Sequence, residues 1–135
     1  MNGIAIKVSL SKVQKSFDDC GVLFTKCRAA VERGEVGEFR SGLIISKEKL
    51  SDIDSVLFYL VENGKITAYL SKDFEIGFKE YNKGNERLCL KVKDLCEVSN
   101  EDLSNWNVLS GVDEKSILDF LKTANSRVNR FYWWC

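Results

Sequence analysis

Apolar and polar residues alternate at the start of the chain, where Ile4, Ile6, Val8 and Leu10 are separated by Ala5, Lys7 and Ser9. A period of two predicts a strand with one buried face. The spacing then changes: Val13, Phe17, Cys20, Phe24, Cys27 and Val31 recur at steps of four and three residues, which traces one side of a helix. Ser11 is placed to cap that helix and Gly34 to end it, with Gly21 a weak point inside it. Glu38, Phe39 and Arg40 read as extended, Gly42 to Ile45 as a short strand, and the polar stretch from Lys47 to Ile53 as a turn or short helix.

The strongest local signal follows. Val56 to Val61 is a continuous run of apolar, β-branched and aromatic residues; Asn63-Gly64 comes next, and Lys65 to Leu70 returns. Asn-Gly tolerates the positive φ angles of a two-residue hairpin turn. Both faces of the hairpin are mostly apolar, so it should lie inside the fold, covered on two sides. Beyond it, Phe74, Ile76 and Phe78 alternate with Glu75, Gly77 and Lys79, and Leu88, Leu90 and Val92 with Cys89, Lys91 and Lys93. These predict two strands with one wet face each, joined through Asn82 to Asn85. Asn100 to Leu103 predicts a short helical turn. Ile117, Phe120, Leu121, Ala124, Val128 and Phe131 predict a last helix, with Asp113 as its cap.

Helices do not alternate regularly with strands, which argues against a doubly wound parallel sheet. The expected class is α+β: a curved antiparallel sheet or small β-barrel with an N-terminal and a C-terminal helix packed on it. One domain over residues 1–135 is the simplest organisation, since the chain has no proline, no low-complexity segment and no internal repeat.

Composition narrows the chemistry. The chain contains no histidine, which removes Ser-His-Asp triads, Cys-His dyads, His-ligated zinc and His general bases. It also lacks a phosphate-binding Gly-x-x-x-x-Gly-Lys loop and a Gly-x-Gly-x-x-Gly turn. Cys20, Cys27, Cys89, Cys96 and Cys135 are odd in number and form no Cys-x-x-Cys pair, so reduced, buried thiols are expected rather than disulfides or a metal site. No cofactor is implied, and these exclusions point away from an enzyme. No apolar run is long enough to span a membrane and the first residues lack signal-peptide form, so a cytoplasmic protein is expected.

Twenty Lys and Arg balance twenty Asp and Glu, giving zero net charge. The balance is uneven along the chain. Lys79 to Lys93 holds five basic residues against two acidic ones, whereas Asp94 to Glu114 holds six acidic residues and no basic one. One segment is therefore locally positive within a neutral whole.

Glu38 and Arg40 lie two apart on an extended segment, so their side chains share one side. Lys26, on the preceding helix, is a third candidate. A carboxylate beside cations suits a polar heterocycle; the same trio also reads as a surface ion pair worth under about 1 kcal/mol. A helix, a glycine, the pattern Gly-x-Lys-Thr-x-Glu-x-Arg and then a hydrophobic strand with a hairpin is the opening of PUA-like domains, the ASCH group among them. The chain resembles it in Gly34-Glu35-Val36-Gly37-Glu38-Phe39-Arg40, where the Gly, Glu and Arg match while Val36 and Gly37 replace the Lys and Thr. Asp54-Ser55-Val56-Leu57-Phe58-Tyr59 is similar to a later strand of the family, and the resemblance spans roughly residues 23 to 98. It implies a small β-barrel flanked by helices, with a cleft for RNA or a modified nucleobase. Some members hydrolyse an acetylated base with a Lys, a Thr and a Glu; lacking two of these, this chain is expected to recognise rather than hydrolyse.

Trp106, Tyr132, Trp133 and Trp134 are candidate stacking platforms for bases, and Arg127 and Arg130 candidate phosphate contacts. They read equally as core aromatics or as a protein interface. The leading expectation is a non-enzymatic module binding RNA or a nucleobase in a cleft beside Glu38, Arg40, Lys26 and Trp106. The alternative is a regulatory or immunity-type protein that binds a protein partner or a second copy of itself through Arg127, Arg130, Trp133 and Trp134.

Overall fold

The structure, a computed structural model, describes residues 2–8, 20–40, 50, 52–62, 64–82, 85–110, 113–123 and 128–134. These residues form an α+β fold dominated by two open sheets, so of the two sheet forms expected it is the unclosed one. The chain divides into two compact units assembled from interleaved segments: Met1–Lys7, Ser51–Leu70 and Cys96–Cys135 in the first, Val8–Leu50 and Ser71–Leu95 in the second.

The first unit is built on strands β1 (Asn2–Lys7), β3 (Ser55–Glu62), β4 (Lys65–Ser71), β7 (Cys96–Val98), β8 (Asn107–Ser110), β9 (Asp113–Ser116) and β10 (Val128–Trp134). They lie in the order β7-β4-β3-β1-β10-β8-β9. Of the Asn-Gly hairpin, expected to be covered on two sides, only β3 is; β4 alternates, with Lys65 and Thr67 exposed and Ile66, Ala68 and Leu70 buried. β3 lies between β4 and β1, and Val56, Leu57, Phe58 and Tyr59 are all fully buried. Gly64 supplies the positive φ, +76°; Asn63 lies outside the described residues. One face of the sheet gathers Ala5, Leu57, Tyr59, Ile66, Ala68 and Val108 with Leu103 of α2 (Asn100–Asn105) and Ile117 and Leu121 of α3 (Ile117–Thr123). Ser99 caps α2, its hydroxyl accepting from the Asp102 amide at 3.1 Å.

Two features depart from the local pattern. β1 pairs with β3 in parallel, from Gly3↔Ser55 to Lys7↔Tyr59, so the sheet is mixed rather than wholly antiparallel. The spacing that predicts one helix from Ile117 to Phe131 is split: α3 ends at Thr123, and Val128–Trp134 form β10 between β1 and β8. Its backbone pairs with β1 from Asn2↔Tyr132 to Ile6↔Val128 and with β8 at Trp133↔Val108. Aromatic and β-branched residues favour strands, and this strand covers a row of β1 peptide groups that would otherwise lack partners. The cap moves as well. Asp113 pairs with Ser110 in β9, and the Ser116 hydroxyl accepts from the Asp119 amide at 3.2 Å, making Ser116 the residue that starts α3.

The second unit contains α1 (Cys20–Glu32) and a three-stranded antiparallel sheet in the order β2-β6-β5, with β2 at Gly37–Arg40, β5 at Phe74–Asn82 and β6 at Asn85–Val92. The alternation predicted for Phe74–Lys79 and Leu88–Lys93 is realised as β5 and β6; Lys83 and Gly84, in the loop between them, lie outside the described residues. So do most of the helix start expected before Cys20 and the strand expected over Gly42–Ile45. Phe39, Leu88, Leu90 and Val92 are fully buried, and Cys27 and most of Phe24 of α1 are buried with them. Helix and sheet meet at Gly37, where a Cβ would lie 2.5 Å from the Cys27 carbonyl oxygen and 2.6 Å from its Sγ. Only glycine permits that approach.

A carboxylate closes the other end of this sheet. Asp94 Oδ1 accepts from the Ser71 hydroxyl and the Asp73 amide, both at 2.8 Å, and from the Lys72 amide at 3.1 Å. The Lys93 amide donates back to the Asp73 carbonyl at 2.9 Å. The turn entering β5 and the chain leaving β6 are thereby tied together.

Candidate ligand-recognition face

Alternation along β2 sends Gly37 and Phe39 to the apolar side and Glu38 and Arg40 to the other. The Arg40 Nε stands 3.6 Å from Glu38 Oε1, with the two side chains 60% and 43% exposed. The buried Cys89 lies in register with Arg40 on β6, and its thiol donates to the same Glu38 oxygen at 3.5 Å. The carboxylate is thus held from below by a thiol and from the side by a guanidinium, on a strand rather than a loop.

Register extends this face across the sheet. Glu38 is opposite Lys91, and Lys91 is opposite Glu75. Arg40 is opposite Cys89, and Cys89 is opposite Gly77. Lys93, one residue beyond β6, pairs with Glu75 at 3.5 Å. Three exposed cations, Arg40, Lys91 and Lys93, therefore share one face with two carboxylates, and the row Arg40–Cys89–Gly77 is low over β6 and β5, where it holds a small buried thiol and a glycine. A Cβ at Gly77 would meet only the Cys89 carbonyl, at 3.7 Å, so a methyl group fits above it.

The expected residues separate. Glu38 and Arg40 come together as their spacing predicts. Lys26 is exposed on α1, and α1 packs on the opposite side of β2 through Cys27, so it is not brought to them on that face. Trp106 belongs to the first unit, where it ends α2, packs partly buried against the core and accepts from the Ile117 amide at 2.8 Å. Arg130, Trp133 and Trp134 have their backbones within β10; Arg127 lies outside the described residues. Lys91, Lys93 and Glu75 were not singled out from the sequence. The basic excess over Lys79–Lys93 was their signal, but only the β2–β6 register brings them beside Glu38.

Of the thiols described, Cys27 and Cys89 are buried and reduced, whereas Cys96 is exposed. Burial pushes the Cys27 thiol from its ordinary 9.0 up to about 11. Among the described residues no group of three or more Cys, Asp and Glu could hold a metal ion, and no helix is long and apolar enough to cross a membrane. No protein-family model, curated protein or solved structure matches the chain.

Proposed function

We propose that this protein is a recognition module of PUA-like character that binds RNA or a nucleobase without transforming it. The observation that carries the reading is a separation of charge beneath the zero net value. The second unit holds fourteen Lys and Arg against eleven Asp and Glu, and the first holds six against nine. A polyanion responds to local potential rather than to the sum over the chain. The basic unit is also the one that presents Arg40, Lys91 and Lys93 on an exposed sheet face.

The test is binding of single-stranded RNA by the purified protein, read by anisotropy or mobility shift across a salt series. The reading expects binding at low salt that weakens steadily as salt rises. Absence of binding at low salt overturns it and leaves a protein partner as the class to pursue.

A further inference from the structure

The same face carries a more specific consequence, which rests on the RNA-binding reading. A carboxylate only accepts hydrogen bonds. Glu38 accepts from the Cys89 thiol at 3.5 Å and lies 3.6 Å from the Arg40 guanidinium, beside Gly77, over which a methyl group would fit. Side chains held on strands by such contacts keep their geometry better than side chains on loops. An acceptor placed there reads an amino group. We infer that Glu38 selects bases that carry an exocyclic amino group, in a single-stranded RNA lying across β2, β6 and β5 with its phosphates on Lys91 and Lys93.

Single strands are the suitable occupant because their unstacked bases expose hydrogen-bonding edges that a duplex hides. The face offers no aromatic platform on Glu38, Arg40, Cys89, Lys91, Glu75 or Gly77, so the Arg40 guanidinium plane supplies the stacking surface. Releasing Lys93 from Glu75 to meet a phosphate costs little, since exposed ion pairs contribute about 1 kcal/mol at most. Adenine, cytosine and guanine carry the amino group and uracil does not. The chemistry therefore disfavours uracil and ranks the others by how well each fits the low row.

The test compares fluorescent oligo(A), oligo(C) and oligo(U) of about ten nucleotides by anisotropy at low salt, with the length set to cover one such face. The parent protein should bind oligo(A) and oligo(C) about tenfold more tightly than oligo(U). Glu38→Gln, an exposed and nearly isosteric change, should bring the three within about twofold, because an amide both donates and accepts. Lys91→Ala with Lys93→Ala should weaken all three alike and flatten the slope of log K against log salt by about 1.4, at about 0.7 per phosphate contact. Gly77→Ala, whose Cβ meets only the Cys89 carbonyl at 3.7 Å, should narrow the low row and weaken binding with the melting temperature within about 2 °C of the parent. Equal affinity for all three oligomers, or discrimination that survives Glu38→Gln, overturns this inference and leaves RNA binding standing. No binding of any oligomer by the parent protein overturns the RNA reading itself.

Discussion

Replacing Gly37 with alanine adds one methyl group where α1 crosses β2. That methyl would lie 2.5 Å from the Cys27 carbonyl oxygen and 2.6 Å from its Sγ. Ordinary carbon–oxygen contacts are near 3.4 Å, so helix or strand must shift by most of an ångström. The shift is costly because Cys27, Phe24 and Phe39 are all buried at this crossing. Forcing a methylene into a packed core costs about 1–3 kcal/mol, and the smaller entropy of the unfolded alanine chain returns about 0.4–1 kcal/mol. The net is a destabilisation of about 1–2 kcal/mol. Unfolding entropy near 2.1 cal/mol/K per residue makes 1 kcal/mol worth about 3.5 °C in a chain this long, so Tm should fall by about 4–7 °C. Calorimetry or a circular-dichroism melt reads it. Gly77→Ala is the control, because its Cβ meets only the Cys89 carbonyl at 3.7 Å and Tm should stay within about 2 °C. Removing the Cys27 sulfur as well should restore only part of the loss, since the backbone carbonyl remains. A Gly37→Ala protein that melts with the parent, or full rescue by Cys27→Ala, would refute the reasoning.

Asp94→Ala removes the acceptor for the Ser71 hydroxyl and two turn amides and should cost about 1–3 kcal/mol in urea unfolding, with Asp94→Asn intermediate; a loss below about 0.5 kcal/mol would show that water replaces the carboxylate. Alkaline stability should follow Cys27, whose thiol rises from 9.0 to about 11 on folding. Above pH 9 the unfolded chain gives up this proton and the folded one keeps it, so stability is whole below pH 9 and falls by about 3 kcal/mol toward pH 11. Cys27→Ala should lose that part of the slope, and an unchanged slope would count against burial as the cause. Maleimide labelling of the native protein, resolved by peptide mass spectrometry, should modify Cys96 and spare Cys27 and Cys89 until denaturant is added; rapid native labelling of Cys89 would contradict its place beneath Glu38.

Much of the local structure was written in neighbouring residues. Alternation in Ile4–Val8, Phe74–Phe78 and Leu88–Val92 placed strands because a period of two has one geometric meaning, but the single buried face expected of the first was wrong: Ala5 is as buried as Ile4 and Ile6, since β1 lies in the interior of its sheet. Asn63-Gly64 marked a reversal, and the two-sided apolarity expected of the whole hairpin holds for β3, where Val56 to Tyr59 are buried, but not for β4, where Lys65 and Thr67 are exposed. The Glu38–Arg40 pairing was legible for the same reason, since residues two apart on a strand share a side. The C-terminal segment was not legible in this way. Ile117 to Phe131 satisfies a helical period, yet Val128–Trp134 is strand because β1 and β8 supply backbone partners that local spacing cannot reveal.

The sequence by itself determined the α+β class, the hairpin, the segments with one wet face and the side shared by Glu38 and Arg40, because each follows from contacts within a few residues. Tertiary structure alone decided that β1 runs parallel to β3, that the last strand enters the middle of a sheet, that two compact units are each assembled from separate segments of the chain, and that Lys91 and Glu75 stand in register with Glu38. Those outcomes depend on pairings between residues tens of positions apart. Such pairings are chosen by which backbone hydrogen bonds and apolar faces remain to be satisfied once the local elements have formed.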